Sequence, residues 1–102
     1  IPRAKVHEAL VGEGVPVSDR YQNIHLLPVF QEKIAYGSKG FPWSSELYTG
    51  DVSYEKGICP TAEHMNDQSY LGIPLCAYEF GFEDIDLIIN AFQKVWRNLH
   101  KL

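Results

Sequence analysis

A chain of 102 residues that is 45% hydrophobic and 13% aromatic suits one small globular domain with a modest core, not a disordered segment. A net charge of -4, with no cluster of Lys and Arg, argues against nucleic acid as a main partner. No apolar run approaches the ~20 residues needed to cross a bilayer. The two cysteines, Cys59 and Cys76, form no CxxC pair and read as buried, reduced thiols of a cytoplasmic protein.

The chain opens Ile1-Pro2-Arg3, with no initiator Met, which suggests a cut from a longer polypeptide. Arg3 to Glu13 reads as a helix with Val6 and Leu10 on one face, and Gly14 as its left-handed cap. Val15 to Ser18 reads as a strand start, and Pro16 places it at a sheet edge. Asp19 to Leu27 is polar and aromatic and gathers Arg20, Tyr21 and His25. Pro28 opens a short helix over Val29 to Ile34. Ala35 to Ile58 has no periodicity. A loop that long is usually functional or partly disordered, and its Phe41, Trp43, Tyr48 and Tyr54 call for a packing partner, expected outside this chain.

The core is expected to close around Cys59 to Tyr78. Pro60 suits a first helical turn, continued by Thr61 to Met65. Leu71 to Cys76 is an apolar run broken by Gly72 and Pro74, which predicts an edge or bulged strand. Gly81 is an allowed N-cap, with Glu83, Asp84 and Asp86 at the positive end of a helix running to about Leu99. Ile85, Ile88, Ile89, Phe92, Val95, Trp96 and Leu99 follow helical spacing, so Trp96 is expected in the core. Lys94, Arg97, His100 and Lys101 populate the far end. The element order predicts an α+β fold over residues 1–102. It would be a two-layer sandwich in which helices cover a small antiparallel sheet of two or three strands.

Arg20, Tyr21 and His25 admit two readings. They are substrate contacts, or a polar turn whose tyrosine packs on the sheet. Glu63 and His64 are neighbours in sequence and do not face each other on a helix, so they are not an acid–base pair. Glu63 is expected to order backbone near its helix start, and His64 to lie on the surface. His7, His25, His64 and His100 lack metal-ligand spacing. Gly12-Glu13-Gly14 ends a helix, whereas a dinucleotide fingerprint follows a strand and opens one.

Taken together, the motifs resemble the C-terminal small domain of the DegT/DnrJ/StrS family of sugar aminotransferases. The resemblance is carried by Ala9-Leu10-x-x-Glu13-Gly14-Val15, then Tyr21-x-x-x-His25 with Leu27-Pro28-Val29-Phe30. Cys59-Pro60-Thr61-Ala62-Glu63, Ile73-Pro74-Leu75 and the acidic helix start Glu83-Asp84-Ile85-Asp86 follow in the same order. The resemblance implies a small domain of the aspartate-aminotransferase fold within a longer homodimeric enzyme. Such an enzyme uses pyridoxal phosphate to move an amino group onto a keto sugar, often nucleotide-linked, or a keto-cyclitol. The cofactor's lysine and its aspartate partner would lie in an N-terminal large domain, and none of the six lysines here has the family's lysine context. The chain alone would hold no cofactor and catalyse no transamination.

By the same resemblance, Arg20, Tyr21 and His25 would form a wall of the substrate cleft. Arg20 stands where relatives more often carry His, and a guanidinium there would suit a phosphate or carboxylate. The alternative is a stand-alone, non-catalytic module that binds a small metabolite. The sequence names neither the keto substrate nor the amino donor.

Overall fold

A computed structural model describes all 102 residues. Its regular structure is helical. Four α-helices occur in chain order: α1 (Arg3–Gly12), α2 (Pro28–Gln31), α3 (Pro60–His64) and α4 (Phe82–Arg97). Short 3-10 turns cover Ile24–Leu26, Leu75–Ala77 and Leu99–Lys101, and a π turn covers Met65–Ser69. The chain forms two compact units, one of residues 1–20 and 67–102, the other of residues 21–66.

The first unit is built on α1 and α4. Val6, Leu10, Val15, Ala91 and Val95 form its core, flanked by Ile88, Phe92 and Leu99. Leu10 is fully buried. A leucine so placed contributes roughly 1.5–3 kcal/mol by leaving water. The end of α1 shows how local sequence closes this core. Gly14 takes φ +85°, its N–H donates to the Val11 carbonyl, and the Val15 N–H donates to the Leu10 carbonyl. These are the two bonds of a Schellman cap, and they turn the chain so that Val15 packs where Leu10 is buried. At the other end, the Asp84 carboxylate accepts the Gly81 N–H at 2.8 Å and satisfies backbone ahead of α4. The Lys94 ammonium reaches Glu13 at 2.7 Å, and Lys5 donates to the Leu102 main-chain oxygen.

The expected sheet is not there, so the two-layer α+β sandwich is corrected to a helical architecture with two isolated antiparallel bridges. One bridge joins the two segments read as strands. Ser18 and Gly72 exchange both N–H···O bonds at 2.8 Å. In that register the next hydrogen-bonded pair in one direction is Pro16 with Pro74. Neither residue has an N–H, so both rungs are lost. In the other direction the Arg20 N–H turns to the Ser18 hydroxyl at 3.3 Å. The pairing is confined to the single Ser18–Gly72 pair. Beyond it, Leu75–Ala77 coils into a 3-10 turn and Leu75 is half exposed. The core therefore closes between α1 and α4, not over Cys59 to Tyr78.

The second unit holds the long aperiodic segment. Two of its aromatics, Trp43 and Tyr54, find their partners within the chain. The Phe30 ring on α2 lies 5.1 Å from Tyr54 and 6.2 Å from Trp43, centroid to centroid. The Trp43 indole N–H donates to the Tyr54 hydroxyl at 3.1 Å. Gln31 ties the same region together: its amide donates to the main-chain oxygens of His25 at 2.8 Å and Tyr54 at 2.6 Å. Helix α2 ends three residues sooner than expected because Lys33 adopts φ +53°, with the Lys33 and Ile34 N–H groups bonding back to Phe30 and Val29. This is the Schellman geometry again, with lysine in the place glycine usually takes. Two further expectations fail. Cys76 is exposed and Cys59 half-buried, and Trp96 is 54% exposed.

Candidate functional site

Residues 21–66 contain a buried histidine–glutamate pair joined by a hydrogen bond. Helix α3 begins at Pro60, whose missing N–H costs nothing there, and it carries Glu63 one turn in. The Glu63 carboxylate is buried and well supplied with donors. The Gly57 N–H donates to both oxygens, at 2.7 and 2.9 Å, and the Cys59 N–H lies at 3.3 Å. The His25 ring completes the set, with Nε2 2.9 Å from Oε1. Facing a carboxylate, that nitrogen is the donor, which fixes the ring's orientation. The Gly57 N–H holds the Glu63 carboxyl below the usual glutamate range, helped by the His25 and Cys59 hydrogen bonds and opposed by burial. Glu63 thus organises the backbone at its own helix start, as expected, and also orients a histidine 38 positions away.

Beside this pair lies an open cleft of about 290 Å³. Tyr21, Asn23, His25, Phe30, Tyr54 and Cys59 are among its walls, and no Lys, Arg, Asp or Glu side chain lines it. The lining suits an uncharged, flat or apolar group better than an anion. Asn23 is nine-tenths buried there, and its Oδ1 has no hydrogen-bond partner. A buried unpartnered carboxamide oxygen is costly and asks for a donor.

Of the three sequence candidates, the cleft brings together Tyr21 and His25. Tyr21 is half exposed, and its backbone N–H is held by the Asn66 side chain at 3.1 Å. Arg20 belongs to the other unit; its side chain is 89% exposed and lies 3.9 Å from Asp19. Sequence reasoning missed Asn23, and missed Glu63 as the partner of His25. The only available signal for the latter was the Pro-x-Ala-Glu helix start. His64 is exposed, and no group of three or more His, Cys, Asp or Glu side chains gathers to hold a metal ion. No helix is long and apolar enough to cross a membrane. Comparison with protein-family models, with curated proteins and with solved structures found no match.

Proposed function

We propose that this chain is the C-terminal part of a cytoplasmic, homodimeric, pyridoxal-phosphate-dependent aminotransferase acting on a keto sugar or keto-cyclitol. What carries the reading is the His25–Glu63 hydrogen bond. Two pieces of the resemblance, Tyr-x-x-x-His and Pro-x-Ala-Glu, are far apart in sequence yet meet at 2.9 Å beside a cleft. That is a reason for both motifs to occur in one chain in this order. The small sheet that the resemblance implies is absent, so the reading rests on the two motifs and the contact between them. In it, Tyr21 and His25 contribute one wall of the substrate cleft, and the missing large domain contributes the rest.

The residues present do not fit the cofactor by themselves. No lysine lines the cleft, and Lys5 and Lys94 are engaged with Leu102 and Glu13. The lysine and aspartate that hold pyridoxal phosphate belong to the large domain, and no chemical step is assigned to this chain. The test is the coding sequence upstream of Ile1. An in-frame extension containing that lysine, and a full-length product that transaminates keto sugars, is the expected result. A full-length product that neither binds pyridoxal phosphate nor transaminates refutes the reading. One observation favours the alternative of a small-metabolite binder: the cleft and its unpartnered Asn23 oxygen lie wholly within residues 21–66. Tight binding of a neutral ring compound by the 102-residue chain alone would support that alternative.

A further inference from the structure

The cleft of residues 21–66 has one polar group that the chain itself leaves unused. Asn23 is nine-tenths buried and lines the cleft, yet its Oδ1 makes no hydrogen bond. A buried acceptor without a donor is costly, so a ligand that brings an N–H to it binds with that cost relieved. The last torsion of an asparagine is broad and roughly two-fold, so the oxygen can turn to meet a donor seated in the cleft.

The rest of the wall restricts what that donor is. A phosphate or carboxylate would find no Lys or Arg there, and a cation no Asp or Glu. The Glu63 carboxylate beside the cleft is already taken up by the Gly57 and Cys59 N–H groups and the His25 ring. The donor is therefore an uncharged N–H. Tyr21, Phe30 and Tyr54 line the same cleft, and aromatic walls favour a flat ring. The Tyr54 hydroxyl accepts the Trp43 indole N–H at 3.1 Å, which leaves its own hydrogen to be donated. A volume of about 290 Å³ is at the lower end for ligand pockets, so the ring is small. We propose that this cleft binds a neutral, planar cyclic amide, whose ring N–H donates to Asn23 and whose carbonyl accepts from the Tyr54 hydroxyl. The proposal deepens the metabolite-binding reading of the cleft and does not rest on the aminotransferase one.

The test is a heteronuclear NMR titration of the 102-residue chain with 2-quinolone and, separately, with N-methyl-2-quinolone. The two share ring and carbonyl and differ in the N–H. The expected result is that 2-quinolone shifts the backbone amides of Tyr21 to His25 and the side-chain amide of Asn23. The N-methyl compound should bind about tenfold more weakly or worse, because it leaves Asn23 unpaired and adds bulk where the N–H was. Asn23→Leu replaces the carboxamide by an apolar group of similar shape, so the fold is kept, as circular dichroism would show. In that variant 2-quinolone should lose about tenfold in affinity and its advantage over the N-methyl compound should vanish. Equal binding of the two compounds in the cleft of the wild-type chain overturns the amide recognition and leaves the metabolite-binding reading standing. A preference for 2-quinolone that survives Asn23→Leu overturns the role of Asn23. If neither compound shifts any residue of the cleft at millimolar concentration, the proposal and the metabolite-binding reading both fall.

Discussion

Two glycines, two positions apart, should respond to the same substitution with opposite signs. Gly12 is the last residue of α1 and Gly14 is its cap. A Cβ added at either would meet nothing within 4 Å, so neighbouring atoms do not decide the outcome. Backbone conformation decides it. Gly12 is helical, and replacing glycine by alanine within a helix gains roughly 0.5–1 kcal/mol. Gly14 sits at φ +85°, where an L side chain pays roughly 1–2 kcal/mol, offset in part by the ~0.4–1 kcal/mol that alanine recovers from a less flexible unfolded chain. Gly12→Ala should therefore stabilise the chain, and Gly14→Ala should destabilise it by about 1 kcal/mol. Urea unfolding followed by Trp96 fluorescence, in a Trp43→Phe background, reports on the unit that contains α1. For a domain of this size, 1 kcal/mol corresponds to a shift in Tm of about 4–8 °C. A Gly14→Ala variant as stable as wild type would refute the Schellman cap and the account of how Val15 reaches the core.

The mirror experiment is Lys33→Gly. Lys33 holds φ +53° at the end of α2, so glycine there should stabilise residues 21–66 by roughly 0.5–1 kcal/mol, read by amide exchange of Phe30 and Ile34. Leu10→Ala should cost about 3–5 kcal/mol in the same urea assay, because the leucine is fully buried and the site between two helices collapses poorly. Glu63 has its carboxyl pKa lowered on folding, so its contribution is present above the ordinary value of 4.5 and is lost as pH falls through the lower folded value. Acid unfolding followed at the His25 ring resonances should show that loss, and Glu63→Gln should flatten the acid limb while lowering stability at neutral pH. Replacing both Pro16 and Pro74 with valine restores the two missing donors. It should extend the Ser18–Gly72 bridge by one rung, seen as new exchange-protected amides at positions 16 and 74. Absence of protection there would show that something other than proline ends the pairing.

Features that act within a few residues along the chain could be read from residue identity alone. The Gly14 cap, the first-turn prolines Pro28 and Pro60 and the acidic start of α4 each act through groups one helical turn away, so their identity was sufficient. The apolar face of α4 was legible for the same reason, but not the share of it that is covered. Trp96 keeps helical spacing with Val95 and Phe92, yet it lies at the margin of the face, and only the packing of α1 decides where burial stops. The strand pattern of residues 15–18 and 71–76 was misleading because a ladder is a property of two segments in register. Two prolines that each look tolerable at an edge fall opposite one another and remove both donors of the next rung. The site follows the same division. Tyr21 and His25 could be nominated from a local motif. The Glu63 carboxylate that orients His25, the Gln31 amide that ties His25 to Tyr54, and the unpartnered Asn23 oxygen were decided by contacts across the fold, which have no periodicity to betray them.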